Sequence, residues 1–194
     1  MSEEQCRDEI ANVLKANKPL ESLQNQCEGT GHFELASAGD AVRSGNFDAA
    51  HAWVDAGMKV SGFDVLPFYE MEFTINEESN FPGRNKYIAD TLIREHPEAA
   101  AGYFLLGKYY AVRENYLKAI ENLEKARVLN GDLAVFASNK LLVSAYWDAD
   151  RFVDAGAAYD SAEKAFPEKV HSDWTLMLIA AASNFLSGNY ARAR

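Results

Sequence analysis

Apolar residues recur along this chain at helical spacing. Tyr103, Leu106 and Tyr110 stand three and four apart, and so do Cys6, Ile10 and Val13. Residues so spaced share one face of a helix. The pattern predicts helical pairs along the whole chain. Residues 3–29 read as a hairpin: Cys6, Ile10 and Val13 line its first helix, Leu20, Leu23 and Cys27 its second, and Lys18-Pro19 marks the turn. Residues 31–64 read as a second pair. In residues 65–97 the spacing of Phe68, Met71 and Ile75 is helical, although Met71, Phe73 and Ile75 also alternate as in a strand. Helix is the preferred reading, because Tyr87, Thr91 and Leu92 follow in a second helical stretch that stops at His96-Pro97. Asn80-Phe81-Pro82-Gly83 is the loop between them.

From residue 100 the pattern repeats itself. Tyr103, Leu106, Gly107, Tyr110, Ala119, Leu123 and Ala126 are answered 36 residues later by Leu142, Tyr146, Ala155, Tyr159 and Ala162, with Pro167 at the close. A turn also recurs. Ser44-Gly45-Asn46-Phe47, Glu114-Asn115-Tyr116 and Ser187-Gly188-Asn189-Tyr190 occupy equivalent places between helices. This arrangement resembles the tetratricopeptide repeat (TPR), a helix–turn–helix unit of about 34 residues. The resemblance implies an all-α fold, a solenoid of antiparallel helical hairpins. Three parts are expected: a hairpin over 1–30, degenerate TPR-like hairpins over 31–99, and TPR repeats over 100–194, the last of them incomplete. Gly107 marks a close approach between paired helices, since glycine inside a helix costs about 1 kcal/mol and needs a reason. Val143 replaces it in the next copy and Asn139 replaces Tyr103, so looser packing is expected there. Pro167 is expected to end the second copy, and Asn130-Gly131 to cap the first.

The same resemblance implies a concave groove lined by the first helix of each unit. Its facing positions fall on Phe104, Lys108 and Val112, then on Lys140, Ser144 and Trp147, then on Leu178 and Phe185. Trp147 is the leading anchor for a partner, because aromatic residues carry much interface energy. Packing against neighbouring helices is the competing reading for Phe104, Trp147 and Phe185, and for Phe185 it is the favoured one. Lys108 and Lys140 are the groove's cations. The Asn and Arg that complete a carboxylate clamp in some TPR domains are missing. The groove suits an amphipathic helix or extended segment with apolar anchors and a carboxylate or two.

Composition narrows the function classes. The chain has 194 residues, is 48% hydrophobic and 25% charged, and carries a formal net charge of −10. A phosphate backbone or an anionic membrane demands clustered Lys and Arg, so neither nucleic acid nor a membrane surface is an expected partner. No stretch approaches the roughly 20 apolar residues of a membrane span. The four histidines are scattered, and no phosphate loop or nucleophile elbow appears. Glu70, Glu72, Glu77 and Glu78 read as a solvated acidic face. No catalysis, metal site or cofactor is expected.

Cys6 and Cys27 lie equally far from the hairpin turn, which places them at similar height. Two buried thiols and a disulfide both fit. The charged start, Met1-Ser2-Glu3-Glu4, lacks the apolar run of a signal peptide and favours the cytoplasm. A disulfide would instead favour an exported protein whose cleaved signal Met1 replaces. Trp174, Leu178, Ala181 and Phe185 form an apolar helix with little chain left to cover it. Either the natural chain continues past Arg194 or this edge meets another chain. The leading reading is a non-catalytic scaffold or adaptor that holds a partner's peptide or helix. The alternatives are a subunit that self-associates through its C-terminal edge, and the helical regulatory part of a larger protein.

Overall fold

A computed structural model describes residues 1–130 and 136–188, apart from the side chain of Asn130. Among these residues the chain forms twelve α-helices and two short 3-10 turns, with no strand. None of these helices is long and apolar enough to cross a membrane. Two compact units divide at Ile88 and Ala89, eleven residues before the expected start of the clear repeats.

In the first unit α1 (Glu3–Lys15) is followed by a 3-10 turn (Leu20–Leu23) and a single helical turn, α2 (Gln24–Cys27). The second arm of the expected hairpin is therefore broken, because Pro19 opens it and Leu23 resets it. Its apolar residues still meet α1: Cys6, Ile10, Leu20, Leu23, Cys27 and Phe33 form one core. Cys6 and Cys27 are joined in a disulfide with Cα atoms 5.5 Å apart. Helices α3 (His32–Arg43) and α4 (Phe47–Gly57) pair, and α5 (Leu66–Glu78) packs on both. Ala38, Ala41, Ala50, Val54, Phe68 and Ile75 form their core. The buried carboxylate of Glu34 accepts hydrogen bonds from Gly29 N (2.6 Å) and Gly31 N (2.9 Å), supplying partners to amides at the start of α3.

The stretch 65–97 is helical: α5 is followed by α6 (Asn85–Glu95). The alternation of Met71, Phe73 and Ile75 misleads because α5 is buried on more than one side, so Phe73 and Ile75 are both inside. In α6 the buried residues are Asn85, Ile88, Ala89 and Leu92, whereas Tyr87 faces solvent.

In the second unit α7 (Ala100–Val112) pairs with α8 (Tyr116–Asn130), and α9 (Phe136–Asp148) with α10 (Phe152–Ala165). A Cβ on Gly107 would stand 2.6 Å from Leu123 Cγ and 3.3 Å from Ala119 O, so the glycine lets α7 and α8 touch. Helices α9 and α10 pack on each other less extensively than α7 and α8, as the replacement of Gly107 by Val143 leads one to expect. Val143 itself is fully buried beside Tyr159, Ala162, Val170 and Leu176. Pro167 does more than end α10. It opens an additional short helix, α11 (Pro167–Ser172), where its missing N–H costs nothing. Then α12 (Trp174–Leu186) begins at Asp173. The cap expected at Asn130-Gly131 and the chain from Asn189 onward lie outside the described residues.

The recurring turn has one geometry. After α3, α5, α7 and α9 a residue turns left-handed: Gly45 (φ 73°), Asn80 (φ 61°), Glu114 (φ 58°) and Asp150 (φ 58°). The next residue's N–H then returns to a carbonyl five positions back: Asn46 to Ala41, Phe81 to Asn76, Asn115 to Tyr110, Arg151 to Tyr146. This is the Schellman arrangement, which satisfies helix-end carbonyls. Glutamate tolerates that backbone region at a cost of about 1–2 kcal/mol. Glu114→Gly is expected to raise stability by about 0.5 kcal/mol, after allowance for the glycine's greater unfolded-state entropy; thermal melts of the two chains check it.

Candidate functional site

Within the second unit the first helices touch in succession: α7 contacts α9, and α9 contacts α12. Helices α8 and α10 supply the other layer, with α8 against α9 and α10 against α12. The predicted groove residues all lie on α7, α9 and α12, but the structure gives them different roles.

Phe104 and Trp147 are half-buried and pack against the core of Ala119, Ile120, Leu123, Leu142 and Tyr146. Trp147 also lies 5.1 Å from the Phe152 ring. Both side chains therefore spend much of their apolar surface inside the unit. Phe185 behaves the opposite way. Packing was its favoured reading, yet it is 60% exposed. Val112 is 65% and Leu178 52% exposed. The buried stripe of α12 is Leu176, Ala180 and Ser183, not Trp174, Leu178 and Phe185. The reason is composition: α12 is apolar nearly all round, so spacing alone cannot choose its inward face. Lys108 and Ser144 are half-buried.

Lys140 is not a loose groove cation. Its Nζ lies 2.6 Å from Asp173 Oδ2, tying α9 to the start of α12. Asp173 also caps α12 by accepting from Leu176 N at 3.2 Å. The hydrogen bond from Lys140 holds the Asp173 carboxyl below the usual carboxylate range, aided by the capped amides and opposed by partial burial. A carboxyl lowered on folding stabilises the protein above its unfolded pKa, and that stabilisation is lost as pH falls through the folded value. Asp173→Asn keeps a capping side chain and loses the ion pair. It is expected to lower stability at pH 7 by about 0.5 kcal/mol, a difference that begins to shrink below about pH 4 and is lost as pH falls through the lowered folded value. Urea titrations at pH 7 and at acid pH check this.

Behind this layer the Tyr146 hydroxyl donates to Glu124 Oε1 at 2.7 Å, joining α9 to α8. Burial and that carboxylate push the Tyr146 hydroxyl up to about 12. The tyrosine therefore stays a neutral donor.

One arrangement was invisible in the sequence. His51 Nδ1 lies 2.9 Å from Glu72 Oε2, across 21 residues. Glu72 is thus not part of a solvated acidic face; only 16% of its side chain is exposed. The two residues stand on different helices, α4 and α5, so no local spacing signals them.

Paired helices, a repeated left-handed turn and successive first helices in one layer define the class of protein: an all-α helical-repeat fold of TPR type. Solved structures of MamA share it. MamA from Desulfovibrio magneticus RS-1, residues 41 to its end, matches with a TM-score of 0.61 at 15% identity, over 84% of this chain and 88% of that one. MamA AMB-1 matches with a TM-score of 0.60 at 16% identity, over 84% and 85%. MamA MSR-1 gives 0.58 at 16%, over 84% and 90%. At these identities the likeness concerns the fold. No family model and no curated protein matches the sequence.

Proposed function

We propose that this chain is a non-catalytic protein-interaction scaffold whose α7–α9–α12 layer receives a peptide or helix of a partner protein. The observation that carries the reading is the exposure of Val112, Leu178 and Phe185, large apolar residues on first helices of the repeat. Exposed apolar residues on one layer suit the apolar anchors of an amphipathic segment. Phe104, Lys108 and Ser144 stand half-buried on α7 and α9 of the same layer. Trp147 supports the layer from within, and Lys140 holds Asp173, so neither is the first residue to test. Val112→Glu and Leu178→Glu change exposed positions and should leave the helix content intact by circular dichroism. A partner captured by the wild type and lost from both variants supports the proposal. A partner retained by both overturns it.

A second reading, self-association through α12, is favoured by the outward row of Trp174 (69% exposed), Leu178, Phe185 and Leu186. Light scattering at several concentrations distinguishes it: the mass rises with concentration for the wild type and not for Leu178→Glu. The Cys6–Cys27 disulfide supports placing the protein in an oxidising compartment rather than in the cytoplasm.

A further inference from the structure

The N-terminal unit contains a cleft of about 440 Å³ between α4 and the C-terminal end of α5, a size suited to a ligand or a short peptide segment. Four of its residues bear on what it could hold. Asn76 is 99% buried, at 1% exposure. Its Nδ2 donates to Glu72 O at 2.9 Å, which leaves Oδ1 as an acceptor with no partner among the described residues. Oδ1 is not a fully buried orphan, so it is an acceptor at the cleft lining that solvent or a ligand N–H can reach. His51 also lines the cleft. A carboxylate only accepts, so Nδ1 carries the proton toward Glu72.

Arg84 stands at the same cleft and is exposed. An exposed guanidinium on a chain of net charge −10 is an attraction for a carboxylate. Phe81 is 69% exposed beside it. It occupies the turn position whose apolar side chain usually folds back on the helix end, but the residue it would cover there is the polar Asn76. Phe81 and Phe47 therefore present aromatic surface to the cleft. Asp48 also lines it and disfavours a second negative charge.

We propose that this cleft is a second peptide site, taking an extended segment in which an apolar residue is followed by a single acidic one. The apolar side chain lies against Phe47 and Phe81. The carboxylate meets Arg84. The peptide N–H between them donates to Asn76 Oδ1. All of these residues belong to the N-terminal unit, whereas the α7–α9–α12 layer belongs to the other, so the two sites stand or fall separately.

The test titrates the full ¹⁵N-labelled chain with acetyl-Gly-Phe-Asp-amide and with its uncharged counterpart, acetyl-Gly-Phe-Asn-amide, each to about 10 mM, as suits weak binding. The acidic probe is expected to give saturable shifts at the Asn76 side-chain amide and at Phe81 and Arg84. It should bind about fivefold more tightly than the amide probe, the scale of one partly exposed charge pair. Arg84→Gln should abolish that difference. Phe81→Ala should weaken both probes about fivefold, as loss of an aromatic contact does. Both substitutions are at exposed positions, and circular dichroism confirms the fold. Equal affinity of the two probes for the wild type overturns the proposal. So does the absence of saturable shifts at the cleft, or shifts confined to α7, α9 and α12.

Discussion

Phe68→Ala is expected to destabilise the N-terminal unit by about 4 kcal/mol, within the range for deleting a buried aromatic ring. Phe68 is fully buried among Ala38, Ala41, Ala50, Val54 and Ile75, and its ring centroid lies 5.6 Å from that of Phe63. It also fills the space that a side chain at Gly57 would occupy: a Cβ there would stand 2.0 Å from Phe68 Cζ. The alanines around the ring are too small to close the gap it leaves. Gly57→Ala alone overpacks the same space and should cost about 2 kcal/mol. Combined with Phe68→Leu it should cost less than the two separate losses added, because the two changes share one volume. Urea denaturation followed by circular dichroism and Trp53 fluorescence reads these effects, since Trp53 packs on the same core. A Phe68→Ala loss near 1 kcal/mol would show that the surrounding helices collapse into the space.

Replacing both Cys6 and Cys27 by serine is expected to cost about 3 kcal/mol. The disulfide spans 21 residues, and closing a loop of that size restricts the unfolded chain by roughly this amount. The arm that it ties down is not a continuous helix. It is a 3-10 turn followed by four helical residues, too short to hold itself by backbone hydrogen bonds alone. Both sulfurs are fully buried, so reductant acts on the folded chain only when this arm opens. Two measurements check the prediction: thiol titration in denaturant with and without reductant, and the urea midpoint under the same conditions. A midpoint that reductant leaves unchanged would show that the core of Ile10, Leu20, Leu23 and Phe33 holds the arm unaided.

Much of the candidate site follows from position in the repeat and little from orientation. Phe104, Lys108, Val112, Lys140, Ser144, Trp147, Leu178 and Phe185 all fall on α7, α9 and α12, as the repeat spacing implies. Which of them is available does not follow. Lys140 is engaged because Asp173, 33 residues away, caps the next helix within its reach. Trp147 turns inward because Phe152 opens α10 beside it. The outward row on α12 is chosen by Val143, Tyr159 and Val170, which claim Leu176 and Ala180 for the core.

The sequence by itself determined the all-α class, most of the helices, the recurring turn and the tight crossing at Gly107, but not the broken arm at Leu20–Cys27 or the short helix α11. The determined features are local matters: apolar residues three and four apart share a face, and a glycine or a polar cap ends it. Left-handed turns at Glu114 and Asp150 are less legible, because neither is glycine and only the closed hydrogen bonds Asn115–Tyr110 and Arg151–Tyr146 reveal them. Only the tertiary structure decided that Cys6 meets Cys27, that His51 meets Glu72, and that Asn76, Phe81 and Arg84 share a cleft. Those pairings join helices whose relative placement is set by many weak contacts at once, and no spacing along the chain encodes that sum.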